Sequence, residues 1–313
     1  MLGKTAGGLF WMFRNLERSE NTARLVEAGF RIALTRSTDS ETEWKSVVTT
    51  AAVKDGYMQK YDTFNGPNVV DYLLRDKDNP SSVISVIESA RTNARLVRTA
   101  LTTEVWEAVN DNWMTVKDLL KRPVRETELP AVLATIRQQS ALVRGALHGT
   151  MLRNDIYDFA RIGTFLERAD NTARIVDVKY YTLLPSASFV GSSLDNVQWE
   201  TILRSVSAHR AFRWLDESEM TSAAIADFLI LDRRLPRSLL FCTSQLVSNL
   251  AFLEEDYGQR HTCHDMADDL RARLKGRDIN AIFEFGLHQF LLDFIRDNNA
   301  LGTQIEADYR FYS

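Results

Sequence analysis

The sequence predicts an all-α fold: an internally duplicated helical bundle with two homologous halves related by a pseudo-two-fold axis. Three observations support this prediction. The 313 residues include only 14 Gly and 6 Pro, and a chain with few helix breakers favours long helices over many short strands. Apolar residues recur three, four and seven positions apart, as they do on one face of a helix. A nine-residue segment also occurs twice.

The repeated segment reads Leu-Glu-Arg-x-x-Asn-Thr-Ala-Arg and spans residues 16–24 and 166–174. Seven of its nine positions are identical, and the two glutamates, Glu17 and Glu167, lie 150 residues apart. Self-similarity at a fixed spacing indicates repeated structural units. The segment therefore predicts a duplicated helix.

Two further landmarks recur in the same order. Trp44 corresponds to Trp199, and the segment Asn-Pro-Ser-Ser-Val at 79–83 corresponds to Leu-Pro-Arg-Ser-Leu at 235–239. Three landmarks at nearly one spacing predict two homologous halves that form one compact unit. Their predicted boundaries are residues 1–147 and 148–313.

The apolar periodicity places the helices along the chain. In the first half it predicts a helix over 9–30, a single long helix over 81–113 and a third over 129–147. In the second half it predicts helices over 154–166, 239–253 and 280–306. Pro80 and Pro236 are expected in the first turn of the helices that follow them, where proline is tolerated. Residues 184–195 are expected to form a loop.

Composition excludes several classes of function. The net charge is −4 with both signs dispersed, so nucleic-acid binding has no electrostatic support. No apolar stretch reaches ~18 uncharged residues, so no membrane span is expected. Charged residues interrupt the N-terminal apolar run early, which does not fit a secretory signal. With only two cysteines, no disulfide framework is expected, and the cytoplasm is the predicted location.

A helical wheel gives the repeated segment a chemical face. Glu17, Asn21 and Arg24 lie at i, i+4 and i+7 and share one face beside the apolar stripe. Packing of the two halves about a two-fold axis would gather two carboxylates, two amides and up to four guanidinium groups. The candidate catalytic acid and base are Glu17 and Glu167, and the candidate binding residues are Arg18, Asn21, Arg24, Arg168, Asn171 and Arg174.

Two interpretations of this face stay open. A half-buried glutamate needs a partner, and an arginine of a neighbouring helix supplies one, so the pairs could simply hold the halves together. Alternatively, the face binds an anion or a peptide carboxylate, or its carboxylates act as acid and base. Arg91 and Arg95, four residues apart on the predicted long helix, are candidate binding residues that would add positive charge; a solvated helix face is their simpler interpretation.

Metal and nucleotide sites have little support. His261, Cys263 and His264 form the one His/Cys cluster of the sequence, and no second cluster completes a set of three or four ligands. The motifs that hold nucleotides or catalytic zinc are absent. The prediction is therefore no metal site and no cofactor in this chain.

Several segments carry a family resemblance: Thr5-Ala6, Leu9-Phe10-Trp11 and 16–24 near the N-terminus, then 90–95, 106–110 and 149–151, and the second motif at 166–170. Together they resemble the alpha-E family of bacterial helical proteins with a Glu-Arg motif. The resemblance covers most of the chain. It implies association with a circularly permuted ATP-grasp protein and with transglutaminase-like proteins. ATP and Mg²⁺ would then be used by the ATP-grasp partner, which activates a carboxylate and joins it to an amine.

Three hypotheses for function follow. The chain is a partner of an ATP-grasp amide or peptide ligase, in which the Glu-Arg face positions a carboxylate or peptide substrate or forms the interface. Alternatively, it is an amide- or acyl-transfer enzyme that uses Glu17 and Glu167 as acid and base. In the third hypothesis, it is a scaffold whose Glu-Arg pairs are structural.

Overall fold

The computed structural model describes residues 1–35, 40–181, 193–215 and 220–312. These residues form helices and no strand, which confirms the all-α prediction. The helices of the N-terminal part are α1 Gly3–Thr35, α2 Ser40–Thr50, α3 Lys54–Met58, α4 Gly66–Leu74, α5 Val83–Leu96, α6 Thr103–Leu119 and α7 Leu129–Thr150. Those of the C-terminal part are α8 Asp155–Tyr181, α9 Ser193–Ser205, α10 His209–Arg213, α11 Ser222–Leu231, α12 Leu239–Tyr257, α13 Thr262–Ala272, α14 Ile279–Phe285 and α15 Leu287–Asp308.

The two long helices α1 and α8, which carry the repeated segments, pack against each other at the centre of the molecule. Helix α1 also packs on α5 and α7, and α8 packs on α12 and α15. Short helices cross between these groups: α2 contacts α8, and α9 contacts α1. The repeated segments are therefore buried where the N-terminal and C-terminal groups of helices meet.

Gly163 allows α8 to approach α1 closely. A Cβ atom at this position would lie 2.3 Å from the carbonyl oxygen of Phe10, closer than any side chain can pack. The missing side chain lets the two backbones touch. Phe10 itself is fully buried and lies against the ring of Phe311, with ring centroids 5.3 Å apart. The approach of Gly163 to the Phe10 backbone sets the distance between the two motif helices.

The predicted helix over 81–113 is wrong as a single element. The chain forms α5, then a 3-10 turn over Arg98–Ala100, and then α6. The break comes at Thr102, whose side chain accepts a hydrogen bond from the Val105 backbone and so begins a new helix. Pro80 and Pro236 lie outside the helices, because Ser82 and Ser238 cap α5 and α12.

The predicted helix over 280–306 is also divided. Gly286 adopts φ 108° between α14 and α15, a conformation that favours glycine and ends a helix. The predicted loop over 184–195 lies outside the described residues up to 192, and its last three residues begin α9. Among the described helices, none has the length and apolar character that crossing a membrane requires. Cys242 and Cys263 are both free and buried.

Candidate functional site

The two repeated segments pair with each other across the contact between α1 and α8. Arg168 donates from Nε and Nη2 to the two carboxylate oxygens of Glu17, at 2.9 Å each. Arg18 donates in the same bidentate way to Glu167, at 2.6 and 2.9 Å. Each glutamate is thus held by the arginine that follows the other glutamate. We call these four side chains the Glu-Arg centre.

Additional arginines surround Glu17. Arg237, which precedes α12, lies 3.1 Å from Glu17 and donates to Glu20 at 2.8 Å. Arg144 of α7 bonds to Glu20 and lies 3.5 Å from Glu17. Arg24 donates to Glu20 at 2.6 Å from one helical turn away. Together with Arg168, these arginines enclose the buried carboxylates of Glu17 and Glu20. Their guanidinium groups come from α1, α7, α8 and the segment before α12.

The surroundings of Glu167 contain fewer arginines. Arg14 donates from Nε to Glu167 at 3.1 Å, and its guanidinium lies 4.7 Å from the ring centroid of Trp11. Asp170 is paired with Arg174 within α8 at 2.6 Å. The side chains of this region leave space on the side facing α2.

The arginines determine the charge state of both glutamates. Burial by itself raises the pKa of Glu17, but Arg168, Arg237 and Arg144 lower this pKa well below its ordinary value. For Glu167, burial is likewise outweighed by Arg18 and Arg14, and the pKa falls to about 2. Both carboxylates are therefore ionised at neutral pH, and their oxygens are occupied. An ionised carboxylate does not act as an acid, and arginine donors occupy the oxygens that a general base would use. The roles of Glu17 and Glu167 as catalytic acid and base therefore stay a prediction to which this geometry adds no support.

Five members of these ion pairs were not predicted as site residues from the sequence: Arg14, Glu20, Arg144, Asp170 and Arg237. Glu20 and Asp170 occupy the same position of the two repeated segments, and both are acidic. This shared negative charge is a sequence signal that could have identified both. Arg237 lies in the repeated proline segment, where its counterpart is Ser81. Arg14 and Arg144 carry no repeat signal.

A cavity of about 210 Å³ lies beside Glu167. Helices α1, α2, α4 and α8, the residues that follow α2 and the residues before α5 form its walls. We call it the Glu167 cavity. Its polar lining residues are Arg18, Asn21, Thr22, Thr50, Ser81, Glu167, Asp170, Asn171 and Arg174, and its apolar ones are Leu25, Ala51, Ala52, Val53 and Leu73. Four of the predicted binding residues, Arg18, Asn21, Asn171 and Arg174, thus line one cavity.

Several polar atoms in this wall are unpaired. The Nδ2 groups of Asn21 and Asn171 and the hydroxyl of Thr50 find no hydrogen-bond partner among the described residues. Asn21 is 4% exposed and Thr50 is 7% exposed. Buried polar groups are normally hydrogen-bonded, and an unpaired one costs free energy. The Oδ1 atom of Asn21 accepts from Arg237 at 3.1 Å, whereas the two Nδ2 groups are candidate donors to a ligand that carries acceptor oxygens.

Ser81 and Arg237 account for the difference between the two sides of the centre. Each directly precedes a serine that caps a helix, Ser82 for α5 and Ser238 for α12. Arg237 is buried, and its guanidinium fills the space beside Glu17. Ser81 lines the Glu167 cavity, where its short side chain leaves the volume open.

The structure does not bring Arg91 and Arg95 to the Glu-Arg centre. Arg91 donates to Asn110 of α6 at 2.9 Å and lies over the ring of Trp113. Arg95 is exposed on α5. The prediction that they add charge to the centre is corrected: the face of α5 that carries them is turned toward α6 and the surface, while alanines and valines face α1.

The cluster at His261, Cys263 and His264 has a structural role at the start of α13. His264 Nδ1 accepts a hydrogen bond from the His261 backbone at 3.0 Å, and Nε2 lies 3.0 Å from the Leu250 carbonyl oxygen. Burial, with Asp308 nearby, raises the pKa of Cys263. Within the described ranges, no group of three or more side chains is arranged to hold a metal ion.

The fold and the centre together define an all-helical protein in which two Glu-Arg helices clasp each other. The chain belongs to the Alpha-E family, described as a predicted alpha-helical domain with a conserved ER motif, whose model matches residues 1–309. In this chain, the dipeptide Glu-Arg occurs at 17–18 and 167–168.

Curated relatives are longer than this chain. An uncharacterized protein of Mycobacterium bovis is 24% identical over 288 residues, which cover 85% of this chain and 31% of the relative. An uncharacterized protein of Mycobacterium tuberculosis strain H37Rv is 23% identical over 288 residues, with the same coverage. The chain thus spans about a third of the length of these relatives. No solved structure matches the chain.

Proposed function

We propose that the chain is the substrate-binding component of an ATP-grasp amide or peptide ligase system. In this proposal, the Glu-Arg centre is a structural clasp, and the Glu167 cavity beside it holds a substrate carboxylate. The circularly permuted ATP-grasp partner binds ATP and Mg²⁺ and activates a carboxylate. A transglutaminase-like protein is a further candidate partner. We place the system in the cytoplasm, where ATP is available and free cysteines stay reduced.

The observation that carries this proposal is the set of unpaired donors in the Glu167 cavity. Asn21 and Asn171 each present a buried NH₂ group without a partner among the described residues. They occupy equivalent positions of the two repeated segments and line the same cavity. A carboxylate offers acceptor sites on two oxygens and accepts from several donors at once. A substrate carboxylate is thus the group that satisfies both amides.

The charge around the cavity also favours an anion. Arg18 and Arg174 line the cavity together with Glu167 and Asp170, so these four charges balance. Arg14 is not a lining residue but donates to Glu167, and it adds a third positive charge beside the two carboxylates. A bound carboxylate would balance the remaining charge. The space is small and partly apolar, which suits a short side chain or the terminal residue of a peptide better than an extended polymer.

The length of the relatives supports action together with other polypeptide. In the mycobacterial proteins, the matched part is 31% of the chain, so a homologue of this protein is joined covalently to a larger remainder. Domains that act on one substrate benefit from a high effective concentration when they are linked. An accessory role fits this arrangement.

We also propose that the fold arose by duplication, with halves at 1–147 and 148–313 related by a pseudo-two-fold axis. The reciprocal pairs of the Glu-Arg centre support this proposal. So do the contacts, since α1 packs on α5 and α7 as α8 packs on α12 and α15. Two non-glycine residues with positive φ, Ala52 and Ser207, follow α2 and α9 at corresponding places.

The partner role is tested by reconstitution with the circularly permuted ATP-grasp protein of the same organism. We expect the two proteins to co-purify, and we expect ADP release by the ligase in the presence of amine and carboxylate substrates to rise when this chain is added. Asn171→Leu removes one unpaired donor and should lower that stimulation. Asn299→Leu, at an exposed position of α15, is the matched control and should not.

Two results would count against the proposal. Absence of a complex, together with unchanged ligase turnover, contradicts the partner role. A complex that forms while Asn171→Leu stimulates as well as the unmodified chain contradicts the carboxylate site and favours the scaffold hypothesis. The closed ion pairs of the Glu-Arg centre are compatible with a scaffold, so this second result would be informative.

A further inference from the structure

A second and larger cavity, of about 410 Å³, lies on the other side of the Glu-Arg centre. Helices α1, α7, α9 and α10 supply its walls. Its volume falls in the range of about 300 to 1,000 Å³ that is common for small-molecule sites. We call it the basic pocket. The cationic residues that line it are Arg24, Arg31, Arg137, Arg204, His209 and Arg210.

The carboxylates nearby do not neutralise these arginines. Glu27 is shared by Arg31, at 2.9 Å, and Arg137. Glu200 is bound by Arg204 at 2.5 Å. Arg24 shares Glu20 with arginines outside the pocket. Five guanidinium groups therefore face three carboxylates, which leaves an excess of two positive charges.

Arg210 contributes most directly to this excess. It is exposed on α10, and none of the other described residues pairs with its guanidinium. Its neighbour His209 lies 3.0 Å from Glu200, yet burial and the charge of Arg204 lower the pKa of that imidazole. Burial and the charge of Arg24 likewise lower the pKa of Arg137. Burial is the larger cause of both shifts, and the neighbouring guanidinium charges act in the same direction.

Backbone geometry indicates that this wall is held in place. Ser207 adopts φ 56°, a left-handed conformation that is uncommon for residues other than glycine and that persists where surrounding contacts fix it. One such contact is the hydrogen bond that Arg24 donates to the Ser207 hydroxyl. Since Arg24 ends the repeated segment of α1, the pocket is built on the same helix as the Glu-Arg centre.

We infer that the basic pocket binds the phosphate group of a small molecule. Guanidinium groups converge on it from α1, α7, α9 and α10, and their planar forks match the oxygens of a phosphate in a bidentate way. A phosphate carries up to two negative charges, which equals the excess of the pocket. A concave site of this size selects a small phosphorylated molecule over an extended nucleic acid, which needs a continuous basic surface.

Calorimetric titration with pyrophosphate and inorganic phosphate tests this inference on the full chain. We expect saturable binding of pyrophosphate, weaker binding of phosphate, and loss of affinity as NaCl is raised, because exposed charges are screened. Arg31→Gln and Arg210→Gln should each weaken pyrophosphate binding by about tenfold, in line with the loss of one charged hydrogen-bond donor. Both side chains are exposed, so the melting temperature should not change.

Arg95→Gln, which removes an exposed arginine of α5, is the matched control and should bind as the unmodified chain does. Equal weakening in all three variants would overturn the inference, because it would indicate diffuse attraction to a charged surface. Absence of saturable pyrophosphate binding at millimolar concentration would also overturn it. The inference is independent of the proposed ligase role, since neither titration involves a partner protein.

Discussion

Arg168 of α8 donates to both carboxylate oxygens of Glu17 in α1, at 2.9 Å each, and both side chains are buried. The pair is bidentate, which is the strongest geometry for an arginine and a carboxylate. Its reciprocal partner joins Arg18 to Glu167. Both pairs join one motif helix to the other, so they stabilise the contact between α1 and α8.

Glu17→Gln should therefore reduce the free energy of unfolding strongly. The change leaves Arg168 buried without its anion, while Arg237 keeps only Glu20. Breaking a buried ion pair on one side costs about 3–5 kcal/mol. Chemical denaturation measures the effect. Glu88→Gln, at an exposed ion pair with Lys77, is the control and should cost under about 1 kcal/mol. Equal small losses for both variants would show that Glu17 is not a clasp.

The pH dependence of stability should reflect Glu167. Its pKa is about 2 in the folded protein and 4.5 ordinarily, so the unfolded chain binds the proton more readily. The stability contributed by this ionised carboxylate is complete above pH 4.5 and is lost as the pH falls toward 2. Unfolding free energies measured across this window should fall in the unmodified chain and fall less in Glu167→Gln. Identical slopes would contradict the pairing.

Asp158 should give the opposite pH dependence. Burial, together with Asp256 and Asp155, raises the pKa of Asp158 to about 7, so the folded protein binds the proton more readily between pH 3.8 and 7. Stability associated with this residue is lost as the pH rises through that range. Asp158→Asn should thus raise the unfolding free energy at pH 8 by about 1–3 kcal/mol. Asp111→Asn, on the surface of α6, should change little; an equal gain in both variants would contradict the assignment.

The close approach of α1 and α8 is tested by Gly163→Ala. The new methyl group would lie 2.3 Å from the Phe10 carbonyl oxygen, so the helices must separate. We expect the free energy of unfolding to fall by about 1–3 kcal/mol or more, as in other overpacked cores. Gly145→Ala provides the control, because its Cβ meets nothing within 4 Å. Alanine should stabilise α7 there by up to about 1 kcal/mol. Thermal melts that move both variants the same way would contradict the packing.

The sequence was informative about the helices and the face of the motif, and less so about its surroundings. Helical spacing predicted that Glu17, Asn21 and Arg24 share one face, because the geometry of one helix determines which of its residues are neighbours. In the structure, Asn21 lines the Glu167 cavity, whereas Arg24 pairs with Glu20 and lines the basic pocket. Helical spacing could not show that Arg144 and Arg237 come from other elements, since the wheel of one helix does not identify its neighbours. The break at Thr102 was missed because the apolar pattern continues through it, whereas the side-chain cap depends on a single residue.

Our central claim is that the Glu167 cavity, and not the pair of buried carboxylates, is the functional site. The correspondence of Ser81 with Arg237 gives its most direct test. Ser81→Arg should place a guanidinium in the cavity, as Arg237 does beside Glu17, while Ser81→Ala keeps the space open. The measurement is stimulation of the ATP-grasp partner's ADP release by each variant, compared at equal melting temperature. We predict that Ser81→Arg abolishes stimulation and Ser81→Ala retains it. Full stimulation by a stably folded Ser81→Arg chain would contradict the account.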